Sequence, residues 1–450
     1  MAGLGDGAAD RGWRDRAGQH PEQLQPLPHA RHDLAPAHPD RPRARRRDRA
    51  RPRPPGTHGR DPGAALAQRR RRGGSRSRAE LRLERHVSER YASARHASER
   101  RRAARAAPSL DAGAVRWLVS GYYGADNLGD EALLAGLLGG LRARGARRVS
   151  VLSLDPGATR AAHHVDARHR LLGLPRALLT TDVLVSGGGG LLQDTTSLRS
   201  LDYYLGVIRA ARALGRRVVV YGQSLGPLGE ASRDRVRRAL HGLPLGLRDA
   251  PSLDLAATLG LAASPVADAA LALAPPAGRA RDALVLVPRG GEPWATETLR
   301  RLGADALAQG LQVEVLACQP SQDDGELERL RAALPGLRRL PSGPPATTLN
   351  ALAGARLVAS VRLHGLVLAT VAGVPHAGLS YDPKVAGFAE RSGAPVWAVP
   401  RTSEAVAATS AALGGVLRAP QFDAAARRAL LDDARAGIDW LVREGLHGRS

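Results

Sequence analysis

From residue 115 onward the chain alternates between two textures. Short apolar runs of Val and Leu are separated by longer Ala-, Leu- and Arg-rich stretches of helical length. The runs "VRWLVS" (115–120), "RRVSVLSL" (147–154), "DVLVS" (182–186), "RRVVVYG" (216–222) and "LGLRD" (245–249) predict one series of strands. A second series follows: "ALVLVP" (283–288), "LQVEVLAC" (311–318), "RLVASV" (356–361), "HAGLS" (376–380) and "PVWAV" (395–399). Apolar strands of this length, each followed by a helix, are βαβ units of a parallel sheet covered on both faces. The fold class expected is α/β, with two doubly wound Rossmann-like domains facing a cleft. The spacing assigns residues 113–260 to an N-terminal domain, 261–405 to a C-terminal domain and 406–450 to a C-terminal helical segment, with a hinge around 250–280 and a long helix over roughly 423–446.

Residues 1–112 do not share this pattern. "RPRARRRDRARPRPPGTHGRDPG" mixes Arg, Pro, His and Gly without a period, and such a segment buries too little apolar surface to offset its chain entropy. It reads as a disordered extension or as sequence upstream of the true start; a basic arm for an anionic partner is the alternative. Composition sharpens this. The formal net charge is +23, but residues 1–110 hold 27 arginines against 12 acidic residues, about two thirds of the excess. The mildly basic remainder argues against specific nucleic-acid binding and leaves at most a peripheral membrane contact. Cys318 is the only cysteine, so neither an intrachain disulfide nor a thiolate zinc site is possible. With no signal-peptide core and no apolar run of the roughly 20 residues that span a bilayer, the expectation is a soluble cytoplasmic protein.

In parallel sheets ligands bind beyond the carboxyl ends of the strands, and there five clusters stand out. "SGYYGADNLGDEALL" (120–134) is a strand, a glycine turn and a helix opening at about Asp130. Free N–H groups at such a helix start suit an anion, and Asn127 and Asp130 add polar side chains; an N-cap and turn would use the same residues. "LVSGGGGLLQDTTSLRSLDYYLG" (184–206) places Gly188 and Gly189 where backbone can approach a ligand, followed by Gln193, Asp194, Ser197 and Arg199. It matches neither the dinucleotide fingerprint nor a Walker loop, since the only lysine of the chain is Lys384. "VVVYGQSLGPL" (218–228) offers Gln223, and "LGLRDAPSLDL" (245–255) offers Arg248, with Asp249 placed to cap the next helix and available as an ion-pair partner for Arg248. "RLVASVRLHGLVLATVAGVP" ends a strand on Arg362 and His364, two positions apart and therefore on one side if the strand continues. A buried guanidinium calls for an anion, and a histidine beside it can move a proton near neutrality. "GLSYDPKVAGF" (378–388) holds Lys384, in a chain that elsewhere uses arginine.

These five stretches, in this order from about residue 115 to 400, resemble the polysaccharide pyruvyl transferase family, in particular its CsaB-like bacterial branch. The two expected domains likewise resemble the GT-B architecture. The resemblance implies transfer of the enolpyruvyl unit of phosphoenolpyruvate to a sugar of a cell-wall polysaccharide, closing a pyruvate ketal and releasing phosphate. It implies a lipid-linked or nucleotide-linked sugar acceptor, a role in surface-layer anchoring, and no metal or organic cofactor. Arg362 and His364 match the R-x-H pair of the family, and Arg248 matches a further arginine. On this reading His364 is the general acid, Arg362 and Arg248 grip the donor anions, and Asp130 or Asp194 deprotonates the sugar. A GT-B glycosyltransferase or a nucleotide-sugar epimerase is the alternative on the same architecture.

Overall fold

The computed structural model describes residues 111–195 and 197–447; the expectations for residues 1–110 lie outside them. Two parallel sheets are present. The first contains β1 (Arg116–Ser120), β2 (Arg148–Ser153), β3 (Asp166–His169), β4 (Val183–Ser186), β5 (Arg217–Gln223), β6 (Leu245–Leu247) and β7 (Ala263–Pro265), in the order β3-β2-β1-β4-β5-β6-β7. The second contains β8 (Arg281–Val287), β9 (Gln312–Val315), β10 (Arg338–Arg339), β11 (Ala355–Ser360), β12 (His376–Ser380) and β13 (Val396–Ala398), in the order β10-β9-β8-β11-β12-β13. Both halves are doubly wound and Rossmann-like, as the alternating pattern predicts. In each, the strand order reverses once: between β1 and β4, and between β8 and β11. Such switch points are where loops part and open a crevice at the carboxyl edge.

Helices cover both sheets. Those that shape the site are α1 (Leu128–Ala143), α2 (Pro156–His163), α3 (Leu174–Leu179), α4 (Leu198–Ala213), α5 (Glu230–Leu240), α6 (Ala250–Thr258), α7 (Pro293–Ala308), α8 (Pro320–Ala333), α9 (Pro345–Leu352), α10 (Leu363–Ala372) and α11 (Pro383–Arg391). After α12 (Ser403–Arg418), which packs on α7 of the second half, α13 (Ala424–Leu446) returns to the first half and packs on β5 and α1. Trp440 of α13 stacks on Tyr221 of β5 with ring centroids 6.4 Å apart. One apolar cluster joins Val119 and Tyr221 of the first sheet to Val285 and Val358 of the second, so the halves share a core.

The structure revises four expectations. β3 (DARH), β7 (ASP) and β10 (RR) were not legible as strands, because they lack the Val and Leu run that marks equally short strands such as β4 (VLVS) and β6 (LGL). β7 pairs with β6, and the 3₁₀ turn Ala269–Ala272 packs on α1, so residues 261–272 extend the first half instead of opening the second. α1 begins at Leu128, capped by Asn127, whose side chain accepts from Gly129 N and Asp130 N; Asp130 sits inside the first turn. Finally, β11 ends at Ser360. Arg362 is at the N-cap position of α10 and His364 lies in its first turn, so the two side chains do not share a strand face and they diverge.

Candidate active site

The loops at the switch point of the first sheet are 121–127 and 187–190. Gly188 holds φ at +111°, which a side chain rarely adopts. That turn carries Gly189 to the Asp130 carboxylate, which accepts its N–H. Asp130 is 9% exposed, and burial together with the nearby Glu131 and Asp268 pushes its carboxyl up to about 7, against the opposing pull of Arg248. Glu131 secures the loop from the other side: it accepts from Gly124 N at 2.8 Å and lies 2.6 Å from His163 Nε2.

Arg248, just beyond β6, is 7% exposed and already paired. Its Nη1 lies 2.6 Å from Asp268 Oδ2, its Nε donates to Ser224 Oγ at 3.0 Å, and Asp249 caps α6. The partner acid is thus Asp268, a residue that sequence reasoning missed; the sole sign of it was an acid following the short run "SPVAD". Asp268 thus gives Arg248 a buried counter-charge. His364 comes to this pair from the second half, with Nε2 3.7 Å from Asp268 Oδ2 and no hydrogen-bond partner among the described residues. Its ring rests on the first turn of α1, where a Cβ at Gly129 would meet His364 Nδ1 at 2.2 Å, so residue 129 must be glycine for the ring to approach. Burial pushes His364 down to about 4, with Arg248 and Arg362 adding to the effect and Asp268 opposing it. The imidazole is therefore neutral at pH 7 in the unliganded protein.

On the second half, Arg362 turns away from His364. Its Nη2 bonds Asp323 and donates to Gln322 Oε1 at 3.2 Å, while its Nε is buried without a partner. Asp323 is fully buried and also accepts from Gly290 N at 3.0 Å and Gln319 N at 2.9 Å. Lys384, in the first turn of α11, reaches across to the glycine loop: its Nζ stands 3.2 Å from where a side chain on Gly190 would start. Asn127 also bridges the halves, its Nδ2 3.5 Å from Gln319 Oε1, beside a backbone bond of 2.8 Å from Leu128 N to Cys318 O.

The remaining expected residues do not join this group. Gln223 is fully buried and its Nε2 braces the end of β4, donating to Ser186 O at 2.8 Å and Ser186 Oγ at 2.9 Å. Asp194 accepts from the Ser232 side chain and, at 2.8 Å, from Gly229 N, and these bonds hold its carboxyl below the usual range. Gln193 accepts from Thr195 Oγ1, Ser197 caps α4, and Arg199 is exposed in the first turn of that helix. These residues form the rim beyond the glycine loop. Among the described residues, no group of three or more His, Cys, Asp or Glu comes together as metal ligands.

Asp130, Asp268, His364 and the cations Arg248, Arg362 and Lys384 thus lie around the switch points of two Rossmann-like sheets, where ligands of such folds bind. The polysaccharide pyruvyl transferase family model matches residues 127–383, more than half of the chain, and the chain belongs to that family of transferases. No protein of curated function matches it by sequence. Among solved structures it is similar to Anabaena HepE in complex with UDP and glucose, at 14% identity over 74% of this chain and 97% of that one, with a TM-score of 0.44. It is similar to the spinosyn rhamnosyltransferase SpnG complexed with spinosyn aglycone, at 17% identity over 73% and 99% of the two chains, TM-score 0.45. A glycosyltransferase from Rickettsia africae matches at 9% identity over 74% and 97%, TM-score 0.45. At these identities the likeness is one of fold. Among the described residues no helix is long and apolar enough to cross a membrane.

Proposed function

We propose that this member of the family transfers the enolpyruvyl unit of phosphoenolpyruvate to two hydroxyls of a cell-wall sugar, forming a cyclic pyruvate ketal and releasing phosphate. The acceptor is a sugar carried on a lipid or nucleotide, and the product serves as an anchor in the cell wall. What supports this reading is the family to which the chain belongs, together with the placement of Asp130 and His364 around Asp268, where burial raises the carboxyl of Asp130 and lowers the imidazole of His364. Ketal formation needs one group that gives a proton and one that takes a proton in the same step.

The sequence expectation of His364 as acid is replaced by a cycle that uses both groups. In the first step the Asp130 carboxyl protonates the methylene carbon, the first sugar hydroxyl adds to the central carbon, and His364 takes the proton of that hydroxyl. In the second step the second hydroxyl displaces phosphate at the same carbon. Its proton goes to Asp130, and the His364 imidazolium gives its own to the departing phosphate. Both groups are restored and one phosphate leaves per ketal closed. Arg362 and Lys384 hold the donor anions and stabilise the charge on the leaving phosphate.

The test is phosphate release with phosphoenolpyruvate or a nucleotide sugar as donor, in the presence of lipid-linked sugar acceptors, with the acceptor mass followed in parallel. Stoichiometric phosphate and a pyruvyl mass gain are expected with phosphoenolpyruvate alone. Glycosyl transfer from the nucleotide sugar, with no turnover of phosphoenolpyruvate, would overturn the reading.

A further inference from the structure

Arg289 lies two residues beyond the end of β8, across the switch point from Arg362. Three observations distinguish it from a surface arginine. Its guanidinium stacks on the Tyr381 ring, 4.1 Å from the centroid, which fixes the plane of the fork. Its Nη1 donates only to the adjacent Gly290 carbonyl, at 3.0 Å, and its Nε is buried with no partner. No carboxylate pairs with it among the described residues, whereas Arg248 and Arg362 each bond a buried aspartate.

The surroundings are arranged for close approach. Gly291 holds φ at +82°, and a Cβ at Gly290 would strike the Gln322 carbonyl at 2.0 Å, so this turn accepts only glycine. Gly290 N bonds Asp323, the same carboxylate that holds Arg362, so one buried acid sets the positions of the Arg289 turn and of Arg362. Two guanidiniums, each with an unmet buried Nε, thus flank the crevice between β8 and β11, and the next strand, β12, is followed by Tyr381 and Lys384. An unmet buried donor is costly unless a ligand completes it, and a planar fork suits a carboxylate or phosphate.

We propose that Arg289, held by Tyr381, forms with Arg362 an anion subsite at the switch point of the second sheet, taking a carboxylate or phosphate group. In the pyruvyl-transfer reading, on which this identification of the ligand rests, that group belongs to the donor. It supplies the free cation that Arg248, neutralised by Asp268, does not.

The test is calorimetric binding of phosphoenolpyruvate and, separately, inorganic phosphate to the full chain, its Arg289→Gln and Arg289→Lys variants and Tyr381→Leu, with melting temperatures as a folding control. Arg289→Gln is expected to weaken phosphoenolpyruvate binding by roughly 10- to 100-fold, the range for a hydrogen bond to a charged group. Arg289→Lys should recover only part of this, and Tyr381→Leu should cost several-fold by freeing the fork. If the wild-type chain binds phosphoenolpyruvate and a folded Arg289→Gln binds it equally well, the subsite is wrong while the pyruvyl-transfer reading stands. If the wild-type chain binds phosphate but not phosphoenolpyruvate, and Arg289→Gln loses the phosphate, the subsite stands and the donor assignment falls. A wild-type chain that binds neither overturns both.

Discussion

The two halves of this molecule have the same architecture and treat charge in opposite ways. At the switch point of the first sheet, charge is compensated or removed: Arg248 faces Asp268, and Asp130 is buried until its carboxyl keeps a proton. At the switch point of the second, guanidinium donors remain unmet on Arg289 and Arg362, and Lys384 reaches out to the opposite loop. His364 is the exception that joins them. It is carried by the second half, yet its ring is buried against Gly129 and Asp268 of the first. The acids Asp130 and Asp268 thus lie on one wall and the unmet guanidinium donors on the other, and the wall that carries those donors delivers the imidazole. Two halves of one fold class can therefore differ in how far the charges at their switch points are satisfied.

The largest effect on the first wall should come from Asp268→Asn. It leaves Arg248 buried without a counter-charge, a loss of about 3–5 kcal/mol for a broken buried pair. In acid, where Asp130 keeps its proton, nothing substitutes for it, and the full loss is expected in denaturant unfolding with an unchanged slope. Toward pH 7 part of it should return, since removing Asp268 also lowers the pH at which Asp130 ionises opposite Arg248. A loss below about 1 kcal/mol in both conditions would mean that the pair is no more than a surface contact and that Arg248 is free after all.

A more diagnostic effect concerns the separate protonation of Asp130 and His364. Asp130 is raised from 3.8 to about 7, so the folded state holds a proton that the unfolded chain has lost, and its contribution to stability falls as pH rises from about 4 to 7. His364 is lowered from 6.5 to about 4, so the folded state lacks a proton that the unfolded chain carries, and its contribution falls as pH drops from 6.5 to 4. Between pH 4 and 6.5 the two slopes oppose one another. Removing either residue should expose the other. Asp130→Asn should lose stability as the solution is acidified through that window, and His364→Gln should lose it as the pH is raised through it, each by up to about 1.4 kcal/mol per pH unit. Slopes of the same sign in the two variants would show that the protons are not held as the burial of these groups dictates.

The α/β class, the doubling and ten of the thirteen strands were legible from pattern alone, because buried parallel strands such as "ALVLVP" carry a continuous apolar signal. The short edge strands and the return of α13 to the first half were not. Those strands carry no run of Val and Leu, and the partner of a helix is not written in its own face. At the candidate site, glycine runs and an arginine beside a histidine pointed to loops that the fold brings to the carboxyl edges of the two sheets. What could not be read was pairing. Asp268 and Asp323 are not adjacent in sequence to Arg248 and Arg362, and only folding shows that they pair with those cations, that Arg289 has no carboxylate partner, and that Arg289 and Arg362 each keep a buried Nε unmet. The shift of His364 was illegible for the same reason: it comes from burial against Gly129, a residue far away in sequence.

The division between the walls is tested most directly by measuring donor binding and turnover together in two variants, His364→Gln and Arg362→Lys. His364→Gln should bind phosphoenolpyruvate nearly as the wild-type chain does and lose turnover by roughly 10²–10⁴-fold, the range for a lost acid–base group. Arg362→Lys keeps the charge but loses the fork, and should show its defect first as weakened donor binding. An active His364→Gln enzyme, or an Arg362→Lys enzyme with unimpaired donor binding, would contradict the account.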